Sequence, residues 1–221
     1  MILNVDSIIL RRNKKVLFSN LNLNLSESQI LILKGSNGVG KTSLLEAICG
    51  LVEIENGSIF LIDKKLNAKH SFSNDYFFYL GHDNCLKDNL TVMENLLVWN
   101  SFCDLGLKQK EILDRLSYFN ISFLSDYPVY KLSQGQKRKV ALTKLLFAGK
   151  KIWILDEPIN GLDKNSIIRF SELLKSHKER GGSALITSHI NINIKSISNL
   201  NLDKLKFKSK NNIDSDSWGS L

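Results

Sequence analysis

An α/β fold built around a phosphate-binding loop is predicted by three runs of this sequence. Gly35-Ser36-Asn37-Gly38-Val39-Gly40-Lys41-Thr42-Ser43 follows the Walker A pattern of a glycine, four free positions and then Gly-Lys-Ser/Thr. Ile30-Leu31-Ile32-Leu33 before it reads as a short buried strand. Leu44, Leu45, Ala47 and Ile48 after it recur at helical spacing, with Gly50 placed to end the helix. Far downstream, Lys151-Ile152-Trp153-Ile154-Leu155-Asp156-Glu157-Pro158 is an apolar run that ends in two acids, the pattern of a Walker B strand. A strand buried on both faces delivers such carboxylates at its C-terminal end, the edge where ligands bind in open α/β sheets.

The chemistry of a loop between strand and helix follows from its main chain. Successive N–H groups of a glycine-rich turn, together with the unpaired N–H groups and positive dipole end of the next helix, converge on a phosphate. Gly35, Gly38 and Gly40 permit the close approach, while Ser36, Asn37 and Val39 complete the turn. Lys41 is expected to reach the β- and γ-phosphates, Thr42 to ligate Mg²⁺, and Ser43 to donate to a phosphate oxygen. Asp156 is suited to hold Mg²⁺, directly or through water, and Glu157 to take a proton from an attacking water. His189 follows the apolar run Ser183-Ala184-Leu185-Ile186-Thr187-Ser188, so it falls at the same sheet edge and is expected to contact the γ-phosphate. The expected ligands are therefore ATP and Mg²⁺.

Composition restricts the setting. The chain has 221 residues, 43% hydrophobic and 24% charged, enough for one domain of the larger sort. No run approaches the roughly 18 apolar residues of a membrane helix, so no membrane-spanning segment of its own is expected. Cys49, Cys85 and Cys103 are scattered and odd in number, which argues against a zinc site or disulfide framework. The net charge of +8 lies in lysines dispersed at 14–15, 64–65, 108–110 and 204–210 without interleaved aromatic or base-reading motifs. A solvated basic surface is the reading, with no nucleic acid as partner.

Taken in order, residues 1 to 34 alternate short apolar runs with Asn, Arg and Lys, the texture of antiparallel strands, and Gly57 to Asp63 continues it after an Asn56-Gly57 turn. Tyr76-Phe77-Phe78-Tyr79-Leu80 reads as a buried strand stopping at Gly81-His82. Thr91-Val92-Met93-Glu94 is a capping box that opens a helix, a second helix covers about Lys108 to Tyr118, and the stretch from about 84 to 146 forms a helical insertion between strands. Ser133 and Gln136 form another capping box, opening a helix with Val140, Leu145 and Leu146 on its apolar side. Asn160-Gly161-Leu162-Asp163 makes a turn, and Ile167, Ile168, Phe170, Leu173 and Leu174 mark a helix that ends at Gly181-Gly182. Residues 201–221 mix Lys, Asn, Asp and Ser, and disorder is expected there.

These motifs together resemble the ATP-binding subunit of ABC transporters over residues 1 to about 200. The phosphate loop, Leu132 to Gln136 as the signature, the Asp156-Glu157 strand, Gly161 to Asp163 as the D-loop and His189 as the switch histidine occur in that family's order. The resemblance implies an ABC-type P-loop ATPase with a nucleotide-binding α/β core, an antiparallel β-subdomain and a helical subdomain. It implies ATP hydrolysis coupled to transport, an integral membrane transporter subunit as partner, and a head-to-tail homodimer. In that dimer Ser133, Gly135 and Gln136 of one copy, with Asp163, would border ATP on Lys41 of the other.

Within the family, short size, Leu33 to Gly38, Tyr79-Leu80-Gly81-His82, Leu90 to Leu96 and Trp153 to Pro158 resemble the haem-exporter group of cytochrome c maturation. That resemblance implies haem export or release of a haem-loaded chaperone, on the cytoplasmic face of a bacterial inner membrane or the matrix face of the mitochondrial one. An ABC transporter for another substrate and a soluble mechanical ABC ATPase are the alternatives. Three positions depart from the general family pattern. His82 stands where most members have the Q-loop glutamine, Arg11-Arg12 where many have an aromatic residue on adenine, and Gln134 where the signature has its second glycine.

Overall fold

The computed structural model describes residues 2–13, 15–61, 64–66, 77–147, 149–189 and 197–205. A five-stranded sheet, all parallel, forms the centre. Its strands are β3 (Ile30–Lys34), β6 (Phe77–Leu80), β7 (Ile152–Asp156), β8 (Ser183–Thr187) and β9 (Ile197–Asn201), in the order β6-β7-β8-β3-β9. A second sheet, antiparallel, has the order β2-β1-β4-β5, from β1 (Leu3–Arg12), β2 (Lys15–Leu25), β4 (Asn56–Leu61) and β5 (Lys64–Leu66).

Alternation along the parallel strands explains the layering, because successive side chains point to opposite faces and both faces must be covered. Leu31, Leu33, Ile152, Ile154 and Leu185 pack with α1 (Lys41–Ile48) and the antiparallel sheet. Ile30, Ile32, Trp153, Leu155, Ala184 and Ile186 face the other way, into a core shared with the helical stretch. That stretch holds α2 (Val92–Phe102), α3 (Gln109–Tyr118) and α4 (Gln134–Thr143) between β6 and β7. Both expected capping boxes are formed. The Thr91 side chain accepts from Glu94 N and Ser133 from Gln136 N, while the Glu94 and Gln136 side chains accept from the cap N–H groups. Such a cap stabilises a helix by about 1 kcal/mol and fixes where it starts.

Two sequence expectations need correction. Asn56-Gly57 lies inside β4, not in a turn. Gly57 (φ 91) faces the β1 main chain so closely that a Cβ would lie 2.6 Å from the Asp6 and Ser7 carbonyl oxygens, where the pairing of β1 with β4 shifts register between Asp6 and Ile9. The dipeptide's tolerance of positive φ serves a bulge here. The tail expected to be disordered from Asn201 instead begins inside the fold, since Asn201 ends β9 and Leu202 is fully buried. Residues 206–221 lie outside the described residues, as do Tyr76, Ile62 and Asp63 of two expected strands.

Behind β7, α5 (Lys164–Glu179) places His177 in the core, stacked on Trp153 with ring centroids 3.6 Å apart and planes 8° from parallel. Burial, then Arg180, pushes the His177 pKa down from 6.5 to about 4. Because the unfolded chain takes up this proton more readily than the folded one, the stability held above pH about 6.5 is lost as pH falls towards 4. His177→Gln is expected to flatten the decline of melting temperature across that window, as thermal unfolding at stepped pH would show; an unaltered pH profile would exclude His177 as its source.

Candidate active site

Strand β3, the phosphate loop and α1 set the floor of the site. The helix starts at Lys41 behind Gly40 (φ 114), and a Cβ at Gly40 would lie 2.9 Å from the Phe18 ring, so the tight approach of loop to β2 requires glycine. Lys41 is buried, and its ammonium donates to Gly35 O (2.9 Å) and Ser36 O (3.3 Å). It also lies 3.0 Å from His189 Nε2. An ammonium can only donate, so this nitrogen accepts and the ring proton is assigned to Nδ1.

The parallel pairing of β7 with β8 brings Asp156 opposite Thr187, and α1 comes up beside them. Asp156 is 1% exposed, yet both carboxylate oxygens are used: Oδ1 accepts from Thr187 Oγ1 (2.5 Å) and Oδ2 from Thr42 Oγ1 (2.8 Å). Glu157, one residue past the strand, takes φ 46. Its N–H donates to Thr187 Oγ1 (2.9 Å), and its Oε2 accepts from His189 N (3.3 Å). Its Oε1 is buried, faces His189 Nε2 at 3.4 Å and has no hydrogen bond of acceptable geometry. Glu157 lines the cleft, where a carboxylate can take a proton.

That cleft, of about 570 Å³, is lined by Asn37, Gly38, Gly40, Lys41, Thr42 and Ser43 from the loop, by Asp156, Glu157, Asn160, His82 and His189 from the sheet edge, and by Arg12 and Leu17. The structure thus brings Lys41, Thr42, Ser43, His82, Asp156, Glu157 and His189 together. Ser133, Gly135, Gln136 and Asp163 do not line it. Asp163 instead caps α5, accepting from Ser166 N at 2.8 Å, and pairs with Lys139 at 2.5 Å; the Lys139 hydrogen bond, then that of Ser166, holds its carboxyl at about 2. The turn that opens α4 packs on the Gly161 turn of the same chain, where a Cβ on Gly135 would sit 2.6 Å from Gly161 O.

The donor set fits Mg²⁺ accompanying a nucleotide. The hydroxyl of Thr42 and the carboxylate of Asp156 are hard oxygen donors already in contact. Among the described residues no cluster of three His, Cys, Asp or Glu side chains could hold a metal by itself. Mg²⁺ suits such a sparse site because it takes one or two side-chain ligands and completes its shell with water and phosphate oxygens.

Three functional contacts escape the motif pattern. Arg12 donates to Ser43 Oγ and Glu46, both at 2.9 Å, on the wall of the cleft. Asp203, beyond β9, accepts from Ser36 N (2.9 Å) and Ser36 Oγ (2.7 Å), bracing the start of the phosphate loop. Arg138 is 5% exposed and reaches the carbonyl ends of β6 and β7.

A strand, glycine-rich loop and helix joined to an acid-bearing strand define a P-loop ATPase. The ABC transporter family model matches residues 18–160, and the chain belongs to that family as an ATP-hydrolysing, ATP-binding subunit. Its curated relatives include "Cytochrome c biogenesis ATP-binding export protein CcmA" of Reclinomonas americana, 35% identical over 87% of this chain and 87% of the relative. The proteins of that name in Dechloromonas aromatica (36%, over 87% and 94%) and Rhizobium johnstonii (33%, over 98% and 99%) are similarly alike. The fold matches a putative ABC transporter ATP-binding protein from Pyrococcus furiosus at TM-score 0.79, 21% identity and coverage of 93% and 99%. It also matches a dimeric ATP-binding cassette in a post-hydrolysis state bound to ADP and Pi, at TM-score 0.73, 20% identity and coverage of 85% and 88%.

Proposed function

We propose that this chain is the ATPase of a membrane export complex in cytochrome c biogenesis, handling haem or a haem-loaded chaperone. The observation that carries the reading is the full-length likeness to proteins named for ATP-binding export in cytochrome c biogenesis, at 33% over 98% of the chain in one case. No helix among the described residues is long and apolar enough to cross a membrane, so an integral partner would supply the path. The chain would act on the cytoplasmic face of a bacterial inner membrane or the matrix face of the mitochondrial one. Copurification tests this: a tagged chain in its native membranes should bring down a polytopic subunit, and deleting the gene should stop covalent haem attachment to c-type cytochromes. Normal cytochrome c levels in the deletion strain would reject the haem reading and leave another cargo.

Thr42 and Asp156 would hold Mg²⁺, which would supply charge neutralisation for the transferring phosphoryl group when bound. The loop N–H groups from Gly38 to Ser43 and the Lys41 ammonium orient the β- and γ-phosphates. The Glu157 carboxylate takes the proton of the attacking water, and His189, tied to both Lys41 and Glu157, contacts the γ-phosphate. Ser133, Gly135 and Gln136, away from this chain's own cleft, would close over ATP on a second copy in a head-to-tail dimer, with Asp163 at the junction.

His82, exposed on the rim of the cleft, takes the glutamine's part as a hydrogen-bonding link to the membrane partner. His82→Gln is expected to keep most of the partner-stimulated ATPase, since an amide offers a donor and an acceptor. His82→Ala should keep basal hydrolysis and lose the stimulation. Equal stimulation in all three forms would leave His82 without that part.

A further inference from the structure

Arg138 makes an exhaustive set of contacts. A guanidinium has five N–H donors in a fixed planar fork, and each of the five has an acceptor. Nε donates to Pro158 O (3.1 Å), Nη1 to Gly81 O (3.0 Å) and Asn84 Oδ1 (3.1 Å), and Nη2 to Asp156 O (2.5 Å) and Glu157 O (2.9 Å). Four of the five are main-chain carbonyls, so these bonds fix backbone and not side-chain rotamers.

The carbonyls so held flank two groups that line the cleft, Glu157 and His82. Asp156, Glu157 and Pro158 enclose the peptide that sets Glu157, whose φ of 46 is a left-handed conformation unfavourable for a residue with a Cβ. Such a conformation persists only where its surroundings over-determine it. The Glu157 N–H is held from one side by Thr187 and its carbonyl from the other by Arg138. Gly81 and Asn84, in turn, bracket His82. The guanidinium itself does not line the cleft.

We infer that Arg138 is the positioning residue for the hydrolytic step, clamping the Glu157 main chain and the loop carrying His82 to the signature helix as one hydrogen-bonded unit. This rests on the ATPase reading of the same site. Arg138 lies on α4, one turn beyond the Ser133 cap, so displacing α4 relative to β7 has to break bonds to Asp156 and Glu157. The position of the signature helix and the aim of the general base are therefore set together. Lysine cannot substitute, because three donors on one nitrogen cannot span acceptors that lie along both arms of a planar fork. Burial also lowers the Arg138 pKa, while Asp156 and Glu157 work against that shift and favour the charged form.

The test is steady-state MgATP hydrolysis by the full-length protein, with ATP-binding sites counted by equilibrium binding, for the parent, Arg138→Lys, Arg138→Gln and Asn84→Leu. In both Arg138 variants kcat per ATP-binding site should fall by about 10- to 100-fold, the scale of a small misplacement of a reacting group. KM for MgATP should stay within about twofold, because no nucleotide contact is removed. Asn84→Leu, which deletes one acceptor near the surface and keeps the fold, should lower kcat in the same direction by less. A merely structural role would lower melting temperature and the number of binding sites and leave kcat per site at the parental value. Parental kcat per site in Arg138→Lys, or in Asn84→Leu should the Arg138 variants not fold, overturns the inference. An inactive parent would overturn the ATPase reading itself, an outcome distinct from an active parent with equally active variants.

Discussion

Glu157→Gln is expected to bind MgATP with parental affinity and to turn it over at least about 10²-fold more slowly, the lower end of what a positioned general base contributes. The substitution preserves shape at a site where shape is tightly fixed. Glu157 N–H remains bonded to Thr187, its carbonyl to Arg138, and the side-chain oxygen facing His189 N can still accept. What is lost is the carboxylate's basicity at the wall of the cleft. An amide in that place has no basic oxygen. Binding without hydrolysis should accumulate an ATP-loaded, closed homodimer, visible as a doubling of mass in size-exclusion chromatography with MgATP. Hydrolysis at the parental rate would show that Glu157 is not the base.

How much of this site can be read before the chain is folded depends on whether the signal is local. The phosphate loop is legible because its function and its spacing are the same thing: contiguous N–H groups need contiguous residues. The capping boxes at Thr91 and Ser133 are likewise closed within four residues. The contacts that sequence cannot show all join segments far apart. Arg138 looks like one more basic residue of α4 until β6 and β7 place Gly81, Asp156 and Glu157 around it. Asp203 follows Ile197-Ser198-Asn199-Leu200-Asn201, whose sparse apolar pattern does not announce a strand. It becomes one because an edge strand needs only the main chain of β3 to pair with. Asp163 shows the converse: a motif position expected at the nucleotide has a strong local partner, Ser166, and a second in Lys139 of α4, in its own chain. The Asn56-Gly57 pair carries the right dihedral information but not its use, since positive φ suits a turn and a bulge equally.

Lys41→Ala should produce the largest loss, in both binding and turnover. Lys41 is the one residue of the loop whose side chain carries positive charge into the cleft, and it is buried there at 9% exposure between Gly35, Ser36 and His189. In a site shielded from water a fixed charge interacts with a phosphoryl group far more strongly than it would at the surface. Because its ammonium also bonds the Gly35 and Ser36 carbonyls, removing it withdraws a brace from the loop as well as the charge. Loss of a single preorganised donor typically lowers kcat by about 10²- to 10³-fold, and here the ground-state contact to the β- and γ-phosphates goes with it, so kcat/KM should fall further than kcat. Circular dichroism should remain parental, since β3 and α1 are held by their own cores. The decisive comparison is with Glu157→Gln: both variants should be inactive, but only Lys41→Ala should also fail to retain MgATP. Parental hydrolysis in Lys41→Ala, measured in the purified complex with its membrane partner, would sink the assignment of the phosphate loop.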